Sequence, residues 1–71
     1  MSEKLDCLCQ VINIGDKILR SATHKGLFLD EVVRFTPSKV GCKSGHLEYP
    51  MEVLVIDAFQ AARFEERKKQ L

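Results

Sequence analysis

The sequence predicts an α+β domain: a small, curved antiparallel sheet or partial β-barrel closed by a C-terminal helix. Three stretches carry that expectation. From Ile14 to Cys42 the chain reads as strand, turn, strand, turn, strand, with apolar and polar residues alternating between Gly- and Pro-containing breaks. Met51–Ile56 ends in a continuous apolar run, as in a strand buried on both faces. From Ala58 onward charged residues with scattered Phe and Ala replace the strand pattern, and a helix is expected over about 58–70.

Taken in order, the first element is ambiguous. Leu5, Cys7, Cys9 and Val11 alternate as in a strand, whereas Leu5, Leu8, Cys9 and Ile12 also form a helical stripe. The Cys, Val and Ile content favours the strand. Gly15-Asp16 signals a turn, because Gly accepts positive φ and Asp can bond nearby backbone N–H groups. Lys17–Arg20 resumes a strand, and Ser21–Gly26 holds little to bury. In the long strand that follows, Leu27, Leu29, Val33 and Phe35 share one face, read as inward. Phe28, Asp30, Val32 and Arg34 share the other, and Glu31 breaks the inward row, so a bulge is expected there. Pro37 lacks an N–H and turns the chain into a short strand, Lys39–Cys42. Lys43-Ser44-Gly45 is a further turn. Asp57 and Gln60 have the spacing of an N-cap with its reciprocal partner, and Glu65 and Lys69 can pair one turn apart.

Seventy-one residues allow one domain, spanning 1–71. A chain of this size buries only about 60% of its unfolded surface, so a metal, disulfides or self-association as a homodimer are the usual supports. Eleven Lys and Arg against ten Asp and Glu leave a net charge of +1, which excludes a strongly basic protein. No apolar run approaches the length of a membrane span, and the first residues lack the basic and apolar segments of a signal peptide. With three cysteines, an odd number, reduced thiols in the cytoplasm are expected.

Ile14-Gly15-Asp16-Lys17-Ile18, a loop ending in Gly26, then Glu31-Val32-Val33 and Val40, resembles the small barrel of the KOW type. In that family Gly-Asp opens the second strand and a glycine stands shortly before a valine in the long strand; here Asp30 and Glu31 occupy that place. The chain also looks like small phage-encoded barrel proteins with a charged C-terminal helix. The likeness covers Ile14 to Cys42. It implies a barrel-like fold that binds RNA or partner proteins.

Four constellations could carry function. Cys7, Cys9, Cys42 and His46 offer four ligands for tetrahedral zinc, although Cys7-x-Cys9 is tighter than the usual half-site. As small buried apolar residues the cysteines would need no metal. Cys42 and His46 could instead be nucleophile and base, but no orienting Asn or Asp accompanies them and so short a chain offers little pocket; the chain is not expected to be an enzyme. Lys17, Arg20, Lys25, Arg34, Lys39 and Lys43 surround the expected barrel, and Lys25, Arg34, Lys39 and Lys43 would form a nucleic-acid surface with Phe28 as a base stacker. Phe28 and Val32, on the face read as outward, would form an apolar contact for a protein partner. The leading expectation is a non-enzymatic module acting through a protein partner, in the manner of a phage-encoded modulator of a host protein. An RNA- or DNA-binding module is the alternative.

Overall fold

The computed structural model describes residues 3–22 and 26–69. The strands are β1 (Lys17–Ala22), β2 (Gly26–Phe35), β3 (Val40–Cys42), β4 (Leu47–Glu48) and β5 (Val53–Ile56). A 3₁₀ turn, Pro50–Glu52, separates β4 from β5, and helix α1 (Ala58–Lys69) ends the chain. All strand pairs are antiparallel, in the order β4-β3-β2-β1-β5. The fold is the α+β sheet with a C-terminal helix that the sequence predicts, and the sheet does not close into a barrel. The 3₁₀ turn takes the first residues of the expected Met51–Ile56 strand, with Pro50 at a helical position that needs no N–H.

Register explains which residues are inside. Ile18 faces Asp30 and Val55 across its two neighbours, Arg20 faces Phe28 and Val53, and Val32 faces Cys42. Ile12, Ile18, Val32, Val40, Cys42 and Val53 pack together as the core. The expected facing of β2 is therefore inverted over its first half. Val32, read as outward, is 0% exposed, whereas Val33, read as inward, is largely exposed. The cause is a bulge displaced from Glu31 to Val33: Val32 pairs with Cys42 but Arg34 with Gly41, so two steps on β2 match one on β3. Beyond it Phe35 aligns with the buried Val40, at the open end of the sheet.

Gly15, at φ 92°, makes the expected turn, and that turn is sewn to β2 by Gly15 N–H donating to Val32 O (2.8 Å) and Val32 N–H to Asp16 O (2.9 Å). The outer side of β1, β2 and β5 carries Leu19, Leu29, Leu54 and Ile56, and α1 packs on β1 and β2 with Ala61 buried and Phe64 half-buried. Its start is the expected reciprocal cap: Gln60 N–H donates to Asp57 Oδ1 (2.8 Å) and Asp57 N–H to Gln60 Oε1 (3.1 Å). Among the described residues no helix is long and apolar enough to cross a membrane.

The segment before Gly15 is neither of the expected alternatives. Lys4–Ile12 is a tight loop closed by a bridge between Leu5 and Val11, and Asp6 organises it. The Asp6 carboxylate accepts from Leu8 N (2.9 Å), Gln10 N (2.8 Å), Gln10 Nε2 (2.9 Å) and, across the sheet edge, Val55 N (2.8 Å). Cys7 N–H donates to Val53 O at 3.0 Å. Side-chain oxygen thus replaces strand carbonyls, and the loop covers the outer edge of β5. Burial alone would raise the Asp6 carboxyl, but the N–H groups of Val55, Gln10 and Leu8 hold it below its ordinary value.

Candidate interaction surface

An ionic network lies on the inner side of the sheet. Arg20 Nε donates to Asp30 Oδ2 at 2.8 Å, with both side chains almost fully buried, and Arg20 Nη1 lies 3.9 Å from Glu48 Oε2. Ser44 Oγ donates to Asp30 Oδ2 at 2.6 Å, and the N–H groups of Glu31 (2.9 Å) and Ser44 (3.3 Å) point at Asp30 Oδ1. Burial opposes the charge on Asp30, but Ser44, Arg20 and these backbone groups outweigh it and hold the carboxyl below its ordinary value. Burial, with the Asp30 charge beside it, pushes the Cys42 thiol up and favours its protonated form. His46 Nδ1 is 3.1 Å from Ser44 Oγ. With the single hydroxyl proton given to Asp30, His46 is the donor in that contact and does not accept the Ser44 proton as a base would. The network pins β1, β2 and the β3–β4 turn together.

Of the apolar residues left exposed outside this framework, Leu8, Ile14, Leu27, Val33 and Phe59 are scattered, and five others line two hollows. One hollow, of about 550 Å³, is lined by Val11, Phe35 and Pro37 together with Glu3, Lys4 and Asn13. A second, of about 560 Å³, is lined by Leu5, Tyr49, Pro50 and Met51 with Asp6 and Glu52. The Lys4-Leu5 step joins them. Leu5, Val11, Phe35, Tyr49 and Met51 are all exposed, Met51 at 76%. Lys4 Nζ donates to Pro37 O at 3.2 Å and stands 6.0 Å from the Phe35 ring centre, while Lys39 Nζ stands 4.7 Å from that of Tyr49.

Beside it runs a strip of cations. On β3 and its flanks Val40 and Cys42 face the core, so Lys39, Gly41 and Lys43 alternate to the outside. Arg34 pairs with Gly41 and lies across it; a Cβ there would come within 2.6 Å of Arg34 Cγ. On β4, Leu47 points outward opposite Gly41, while Glu48 is drawn inward toward Arg20. Among the described residues Arg34, Lys39 and Lys43 form no ion pair, and the nearby Glu31 is already held by Lys17 at 2.9 Å.

The structure therefore gathers three of the four residues expected for nucleic-acid binding, Arg34, Lys39 and Lys43; Lys25 lies outside the described residues. It does not sustain Val32 as a contact residue, since Val32 is core. Phe28 is half-buried and stacks 5.5 Å from the Arg20 guanidinium, on the inner side. The reading of the cysteines as small buried apolar residues holds for Cys42 but not for Cys7 and Cys9, which are exposed because the N-terminal segment is a loop rather than a strand. The alternative zinc set is not assembled, since no three Cys, His, Asp or Glu side chains among the described residues converge to hold a metal. Leu5, Val11 and Met51 have no distinguishing signal in the sequence. Tyr49 had one, as a large aromatic between a turn and a proline.

No family model, curated protein or solved structure matches the chain.

Proposed function

We propose that this protein is a non-enzymatic binding module that acts through a protein partner, docked on the end formed by Leu5, Val11, Phe35, Tyr49 and Met51. The observation that carries this reading is the pair of apolar hollows lined on adjacent residues by Lys4 and Leu5, with large side chains held in the open by a framework that leaves no buried side-chain polar atom unpaired among the described residues. Burial of aromatic and Met side chains is the commonest source of binding energy at such contacts. Modulation of a host protein by a phage-encoded chain is a role suited to a domain this small.

Affinity capture tests the proposal. Proteins retained by the immobilised wild-type chain and lost with Met51→Asp are expected, with circular dichroism unchanged. Identical retained sets would contradict it. A second reading, an RNA- or DNA-binding module of KOW type, is favoured by one observation: Arg34, Lys39 and Lys43 share the outer face of β2 and β3. Binding to mixed short oligonucleotides that weakens steeply with added salt would support that reading instead.

A further inference from the structure

We infer that the partner presents an extended segment with an apolar anchor followed by carboxylates at alternate positions. The inference rests on the protein-partner reading and adds the chemistry of the partner. The anchor end is the hollow of Leu5, Tyr49 and Met51. From Tyr49 the surface continues through Lys39, which stands over its ring, onto the outer side of β3. There Lys39, then Arg34 lying over Gly41, then Lys43 follow one another along the strand. Alternate positions on a strand are about 6.6 Å apart, and an extended segment repeats at the same interval. Carboxylates on every second residue would therefore meet the three cations in succession.

Charge complementarity favours this occupant. None of the three cations is neutralised by an ion pair among the described residues, and the outward positions of β3 and β4 carry no acid because Glu48 points inward. The absence of a Cβ at Gly41 lets Arg34 lie flat, so the strip is shallow enough for a chain to run along it. Glu3 and Glu52 edge the two hollows, and Glu31 beside Lys43 is held by Lys17 at 2.9 Å. The pattern specifies composition: an apolar anchor at Tyr49 and acids along Lys39, Arg34 and Lys43.

The probe is a fluorescein-labelled 12-residue peptide beginning Phe-Leu and continuing with alternating Asp and Thr. Its control replaces every Asp by Asn, and a third probe is a 12-nucleotide oligothymidylate. Fluorescence anisotropy should show the Asp peptide bound at least about tenfold more tightly than the Asn peptide, with the advantage shrinking as salt rises. Arg34→Glu with Lys39→Glu should abolish the advantage, and the milder Lys39→Gln should reduce it, each with the circular dichroism of the wild type. Equal affinity for Asp and Asn peptides, or no binding of the Asp peptide at about 1 mM, overturns the inference; the loss of partner capture by Met51→Asp would still stand or fall separately. Tighter binding of the oligothymidylate overturns both the inference and the protein-partner reading.

Discussion

One sheet offers two outer surfaces that meet near the Val33 bulge, and the chain treats them differently. Over β1 and the first half of β2, α1 packs on the sheet and Leu19 and Leu29 are half-buried, with Leu27 exposed at the strand's start, and the charges at the border, Lys17 and Glu31, are paired at 2.9 Å. Over the rest of β2, β3 and β4 there is no helix. The apolar residues Leu47, Tyr49 and Met51 stay exposed, and Arg34, Lys39 and Lys43 stay unpaired among the described residues. Since the same ionic network supports both halves from within, the bare half is not bare through weak construction. On the proposed reading, a partner supplies the burial that this half of a small domain lacks.

The strongest way to break the comparison is to remove the shared support. Asp30→Asn would leave the buried Arg20 with Glu48, 3.9 Å away, as its remaining counter-charge, and a loss of about 3 kcal/mol in denaturant unfolding is expected, weakening both halves. Acid should act on the same groups. Asp30 and Asp6 both have carboxyls held below their ordinary value, so their contribution is complete above the unfolded-state value near 4 and is lost as pH falls through the lower folded-state values. Urea midpoints measured between pH 6 and 2 should drop in that window in the wild type, and the drop should be smaller in Asp30→Asn.

Gly41→Ala sharpens the contrast, because it touches only the uncovered half. The added Cβ meets the Arg34 side chain, so a loss of about 1–3 kcal/mol is expected. Adding Arg34→Ala should restore most of it, whereas a loss unchanged in the double mutant would place the conflict in the backbone. Asp57→Ala touches only the covered half, by removing the α1 cap. A loss of about 1 kcal/mol and faster amide exchange in the first turn of α1 are expected, with no change around Tyr49.

Much of this architecture is legible in the chain. The Gly15-Asp16 turn, the Asp57–Gln60 cap, the strand at Val53–Ile56 and the helix that follows rest on local chemistry, which acts the same wherever the segment sits. The facing of β2 was not legible. The row Leu27, Leu29, Val33 and Phe35 is the more apolar, but one extra residue exchanges the rows, so Val32 and Val33 trade places through a bulge fixed by pairing with β3. The segment from Leu5 was misread for a related reason: its alternation is real, but Asp6 satisfies four N–H groups, which makes a compact loop more favourable than either regular element. Arg20 and Asp30 look like surface charges until the register places them on the inner side. Arg34, Lys39 and Lys43 were legible only within a wider ring of cations, from which the structure draws Arg20 inward and pairs Lys17 with Glu31.

Met51 and Phe59 allow the most direct test of the central claim. Both are strongly exposed, at 76% and 68%, and both can accept a charge without disturbing the core, but Met51 lies at the bare end and Phe59 on α1. Partner capture should be abolished by Met51→Asp and unchanged by Phe59→Asp, with both variants folded. Capture lost through Phe59→Asp and kept in Met51→Asp would move the binding surface to the helix and contradict the account.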